Sequence, residues 1–110
     1  LGKSRTELLQ GTLDLLILRT LRHEPLHGWG ISKRIRQTSR GVLEINQGSL
    51  YPALYRLADR GWIEGKWGVS REGRRAKFYR LTAAGRKQLL REKRNWRTFS
   101  AAVDCVLAGS

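Results

Sequence analysis

The sequence concentrates its chemistry-bearing side chains in two short runs. Arg71, Arg74, Arg75 and Lys77 fall together in "SREGRRAK", and Tyr51, Tyr55 and Arg56 in "YPALYR". Guanidinium and ammonium groups neutralise phosphates and set the register of a protein on a polyanion, while outward side chains on an inserted helix read base edges. The first run suits phosphate contact, and Tyr55 with Arg56 suits contact inside a groove. Tyr51 lies at the edge of an apolar arc, where packing is the competing role. Lys33, outward on a basic segment, and Gln47, just before "GSLYP", join the candidate DNA contacts.

Other residue types offer little. His23 and His27 have the spacing of two ligands on a helix, but Pro25 separates them and no further histidine exists, so no metal site is expected. Gly28 and Gly30 in "GWGISK" lack the spacing and the preceding strand of a phosphate-cradling loop. Ser32, Ser39 and Ser49 have no nucleophile-elbow context, and the carboxylates are not paired. Neither catalysis nor a cofactor is expected. The one cysteine, Cys105, cannot close an internal disulfide and suits a reducing cytoplasm.

The elements that must position these groups follow from periodicity and charge. With 22 Lys and Arg against 9 Asp and Glu among 110 residues, the net charge is +13, which favours polyanionic partners. The most apolar stretch, Leu8 to Leu21, is broken by polar residues, so no membrane span is expected. The N-terminus lacks the pattern of a signal peptide, and without a methionine Leu1 is not an initiator.

Apolar spacing predicts a first helix over Glu7 to Arg22 and a short basic helix in "WGISKRIRQTS", with Trp29 or Ile31 and Ile35 inward. "VLEI", Val42 to Ile45, predicts a short strand. A third helix follows, with Leu50, Leu54 and Leu57 inward and Pro52, Tyr55, Arg56 and Asp59 on the other side; Asp59 is expected to pair with a neighbouring arginine. Proline is tolerated in a first turn, so Ser49 is the expected N-cap, and Gly61 is the stop. "WIEGKWG" and "AKFYRL" predict a hairpin with a basic tip. Thr82 caps a last helix on which Leu89, Trp96 and Val103 recur at seven, as do Glu92, Phe99 and Val106. The resulting apolar stripe is too large for one protruding helix to leave in water, so a homodimer is expected through Leu89, Trp96, Phe99, Val103 and Val106.

This order predicts a mainly α fold with a small β-hairpin: a winged helix-turn-helix over 1–81 and a C-terminal dimerisation helix over 82–110. The expected partner is double-stranded DNA. A basic RNA-binding or ribosome-associated protein is the alternative that composition allows, distinguished by exposed aromatic stacking platforms. A protein-interaction module would leave the wing arginines without a partner.

"GTLDLLILRTL", "PLHGWGISKRI", "GSLYPALYRLADRGWI" and "RRAKFYRLTAAGRKQL" together resemble the PadR family of bacterial transcriptional regulators, from about Leu8 to about Leu107. The resemblance implies a winged-helix dimer that represses transcription and is released by small aromatic or drug-like molecules. It places Ser49, Tyr51, Pro52, Tyr55 and Arg56 in the recognition helix, and Arg74, Arg75, Lys77 and Tyr79 in the wing. Independently of the resemblance, Trp96 is expected to pack at the dimer seam, with the wall of an aromatic effector pocket near the two-fold axis as its competing role. Family members commonly carry tyrosine where this chain has Trp29 and Phe78, and larger members have a longer C-terminal domain.

Overall fold

The computed structural model describes residues 10–109. Helix α1 (Gln10–Thr20) is followed by strand β1 (Leu26–His27), helix α2 (Gly28–Thr38) and helix α3 (Gln47–Asp59). Strands β2 (Ile63–Val69) and β3 (Arg75–Leu81) form the hairpin, and α4 (Ala83–Ala108) ends the chain. The predicted start of α1 at Glu7 lies outside the described residues.

The apolar arcs converge on one core. Ile17, Leu18 and Leu21 meet Ile31 and Ile35 of α2 and Leu50, Ala53, Leu54 and Leu57 of α3; Ile63, Leu81 and Leu89 close it from the hairpin and α4. Of the alternatives on α2, Ile31 is fully buried and Trp29 stands out in solvent.

All three strands are antiparallel in the order β1-β3-β2. The third strand comes from Leu26–His27, not from Val42–Ile45 as β-propensity suggested. Leu26 pairs with Tyr79 and His27 with Phe78, which occupies the edge of β3 that another strand would need. Val42 and Leu43 instead follow the end of α2, where the Gly41 amide donates to the Arg36 carbonyl. Only Ile45 of that segment packs against the core.

Three helices begin the same way. His27, Asn46 and Thr82 sit before α2, α3 and α4 in extended backbone, and each side chain accepts the amide three residues on, from Gly30, Ser49 and Gly85. Asn46, rather than Ser49, is therefore the cap of α3. Pro52 consequently lies in the second turn, where it removes the hydrogen bond to the Gly48 carbonyl; residue 48 is exposed, so water can take that bond. At the other end the Trp62 amide donates to the Leu57 carbonyl, closing α3 at Gly61 as expected.

Gly85 stands where a glutamate would complete a capping box, and packing explains the exchange. A β-carbon there would lie 2.0 Å from the Trp62 carbonyl oxygen. The start of α4 is thus pressed onto the end of the α3 connection, and Thr82 fastens it by donating to the Gly61 carbonyl at 2.7 Å. Among the described residues no helix is long and apolar enough to cross a membrane.

Candidate nucleic-acid interface

The first turns of α3 present Gln47, Tyr51, Pro52 and Tyr55 outward, and Tyr55 is 78% exposed. Ser49 is half-buried and its amide is spent on Asn46. Tyr51 is partly exposed, and its ring lies across Gly28: a β-carbon on Gly28 would sit 2.6 Å from the phenol oxygen. Glycine at the start of α2 thus leaves the space that the Tyr51 ring occupies.

Arg56 departs from the expected arrangement. Its guanidinium turns back to α1 and pairs with Asp14 at 2.5 Å, with the two side chains 26% and 12% exposed. Its Nε is buried without a hydrogen-bond partner among the described residues. Burial raises the Asp14 carboxyl above its usual range, opposed by the hydrogen bond and charge of Arg56 and reinforced by the charge of Glu92. Held this way, the guanidinium braces α3 against α1 rather than pointing outward as its place on the helix suggested. The signal was in the sequence: Asp14 interrupts the apolar face of "GTLDLLIL", and a carboxylate there needs a cationic partner.

The hairpin tip is shorter than the charged stretch suggested. Pairing runs to Val69–Arg75, leaving Ser70–Arg74 as a loop in which the Ser70 amide donates to the Arg74 carbonyl and the Gly73 amide to the Ser70 carbonyl. Arg71, Arg74, Arg75 and Lys77 are all exposed. Two nearby arginines are instead tied up in ion pairs: Arg34 is held by Glu24 at 2.6 Å and Arg80 by Glu64 at 2.7 Å. Lys33 and the four wing cations have no ion pair among the described residues, and neither has Asp59, whose expected arginine partner is absent. Tyr79 is half-buried against the core, where burial raises its phenol above the ordinary value, with Tyr51 adding to the effect. It stays a protonated donor through neutral pH.

Between the wing, Tyr51 and the start of α2 lies a cleft of about 850 Å3. Trp29, Trp67 and His27 line it with the wing cations, and sequence reasoning missed all three. The strand alternation was the available signal, because the register sets Trp67 opposite Lys77 on one face of the hairpin. His23 and His27 take separate roles: His23 contacts Arg19 at 2.9 Å, and His27 caps α2. No group of three or more metal-ligating side chains occurs among the described residues.

On α4, Leu89, expected on the exposed stripe, is instead buried in the chain's own core. Beyond it Trp96, Phe99, Val103 and Val106 are exposed, and the rings of Trp96 and Phe99 lie 6.0 Å apart.

A helix pair with a basic three-stranded wing behind an outward-facing third helix is a winged helix-turn-helix, a DNA-binding class. The model of the Transcriptional regulator PadR-like family matches residues 17–91. The chain belongs to this family, and is therefore a DNA-binding transcriptional regulator and not an enzyme. That membership sets the RNA-binding alternative aside.

Solved relatives share the architecture. A PadR-like transcriptional regulator from Bacillus cereus is 30% identical, with 94% of this chain and 99% of that one covered at a TM-score of 0.77. A transcriptional regulator from Clostridium thermocellum is 28% identical, with 89% and 95% covered at a TM-score of 0.80. An uncharacterised protein of Lysinibacillus sphaericus is 28% identical over 105 residues, 96% of each chain.

Proposed function

We propose that the chain is a homodimeric repressor that binds a pseudo-palindromic operator through α3 and the wing. The observation that carries the dimer is the outer half of α4, where Trp96, Phe99, Val103, Val106 and Leu107 stand in solvent on one helix. A surface of that size on a single projecting helix calls for a second copy. The division of labour follows: residues 1–81 bind DNA and the helix of 82–110 dimerises, with its first turns rooted in the DNA-binding core. A two-fold dimer presents its recognition helices about one turn of duplex apart, roughly 34–36 Å or a multiple of it.

Gln47, Tyr51, Pro52 and Tyr55 face the major groove, while Lys33, Arg71, Arg74, Arg75 and Lys77 hold phosphates. Ser49 and Tyr79 support this surface from the side. Trp96, close to Phe99, is the residue through which a small aromatic effector would act at the seam. The exposed, unpaired Cys105 suits a reducing cytoplasm.

Selection of bound sequences from random duplex DNA tests the reading. A symmetric site with half-sites at that spacing is expected, with affinity falling roughly 10³–10⁵-fold between about 50 and 200 mM salt if about 6–10 phosphates are neutralised. An asymmetric site or a flat salt response would refute it.

A further inference from the structure

We propose that the cleft between the wing and the α2–α3 pair seats one sugar–phosphate strand of the bound duplex, with Trp67 and Trp29 as its walls and His27 as a phosphate donor. The proposal rests on the DNA-binding reading and adds three residues to it. When α3 occupies a major groove and the wing reaches the neighbouring groove, the strand separating those grooves has to pass between them. In this protein the space between them is the cleft.

Its lining suits that passenger on balance, because three cations, Arg74, Arg75 and Lys77, outnumber the one carboxylate, Glu72. Arg75 and Lys77 on one wall supply positive charge, and the Arg75 guanidinium lies 4.8 Å over the Trp67 ring. Lys33 lies 4.9 Å over the Trp29 ring in the same way. Each cation is thus held in place beside an indole, so less side-chain freedom remains to be lost when a phosphate binds. Both indoles are more than half exposed, at 58% for Trp67 and 54% for Trp29. A strand filling the cleft would cover them with the apolar faces of its deoxyriboses. Tyr51 adds a third ring, joining the cleft to the recognition helix.

His27 contributes through its tautomer. Its Nδ1 accepts the Gly30 amide at 2.9 Å, so the ring carries its proton on Nε2. The ring is braced against Phe78, with centroids 5.1 Å apart. Nε2–H has no hydrogen-bond partner among the described residues, which leaves a neutral donor on the wall of a cationic cleft. Phosphodiester oxygens are acceptors only, and fit it.

The test titrates the full chain with a mixed-sequence duplex over a range of salt concentrations. Trp67→Leu and His27→Asn, the second retaining a capping side chain, should each weaken binding roughly two- to tenfold while leaving the salt slope unchanged, because neither interaction is ionic. Lys77→Ala should lower the slope by about 1, the change for one phosphate no longer neutralised. Unchanged thermal unfolding of each variant shows that the fold persists. As a second measurement, a photo-crosslinking residue at position 67 should attach to the duplex, and one at exposed position 90 on α4 should not. Wild-type affinity in Trp67→Leu and His27→Asn, or no crosslink from position 67, overturns the cleft while Arg74→Ala still reduces the slope. Failure of the unaltered chain to bind duplex DNA would instead overturn the DNA-binding reading beneath it.

Discussion

Removing either member of the Asp14–Arg56 pair should destabilise the fold, and removing both should restore it. Loss of one partner from a fully buried pair costs about 3–5 kcal/mol, because the other charge is left stranded. Here the side chains retain 26% and 12% exposure, so water relieves part of that cost and about 2 kcal/mol is expected for Asp14→Leu or Arg56→Met. For a domain near this size that lowers the midpoint of thermal unfolding by about 10 °C, measured at one fixed protein concentration. The double variant Asp14→Leu/Arg56→Met should return to within about 1 kcal/mol of wild type, since it also removes the unpartnered Arg56 Nε.

The single variants separate with pH. Burial already raises the Asp14 carboxyl, and taking away Arg56 removes what opposes that rise. A carboxyl with a raised folded-state pKa binds its proton more tightly when folded. Its penalty is absent below the unfolded value, grows as pH climbs through the window up to the raised value, and is full above it. The deficit of Arg56→Met should therefore shrink on acidification through that window. The deficit of Asp14→Leu should not shrink, because guanidinium stays charged throughout. Single variants as stable as wild type would refute the pair as a structural strut. So would a double variant that folds normally but no longer prefers its selected operator, because Arg56 would then be reading bases.

One further substitution and one truncation probe the scaffold. Gly85→Ala should unfold the protein readily, at a cost above about 3 kcal/mol, because its β-carbon would lie 2.0 Å from the Trp62 carbonyl; denaturant unfolding checks it, and a cost below about 1 kcal/mol refutes that close approach. Truncation after Arg94 removes the exposed apolar half of α4 and keeps Leu89. Sedimentation should then find folded monomers with weak operator binding, and a truncated chain that remains dimeric refutes the assignment of α4.

Periodicity made the core legible. Leu50, Leu54 and Leu57 form the predicted arc of α3, and the hairpin, the Gly61 stop and the Thr82 cap stand where turn and cap chemistry put them. What escaped depends on partners distant in sequence. "VLEI" has the composition of a strand, but a strand also needs a free edge, and Leu26–His27 takes the edge of β3. Arg56 lies on the outward side of a helical projection, yet its long side chain reaches back to a carboxylate 42 residues earlier. Leu89 satisfies a heptad repeat, but spacing alone does not say which neighbour a helix face meets. The cleft residues Trp29, Trp67 and His27 come from three separate elements, and only the folded register brings them together.

The position of Leu89 bears on how a dimer would govern DNA binding. Leu89 in the core and Trp96 on the exposed stripe are seven residues apart on one unbroken helix, a distance of about 10 Å along its axis. The same stretch of α4 carries Glu92, held by Gln88 at 2.7 Å and close enough to influence the Asp14 carboxyl. Asp14 in turn holds Arg56 of the recognition helix. A change in how the outer half of α4 packs against a second copy would therefore press first on Leu89 in the core, and would reach Asp14 only through the charge of Glu92. A close-packed core transmits such a shift rather than absorbing it.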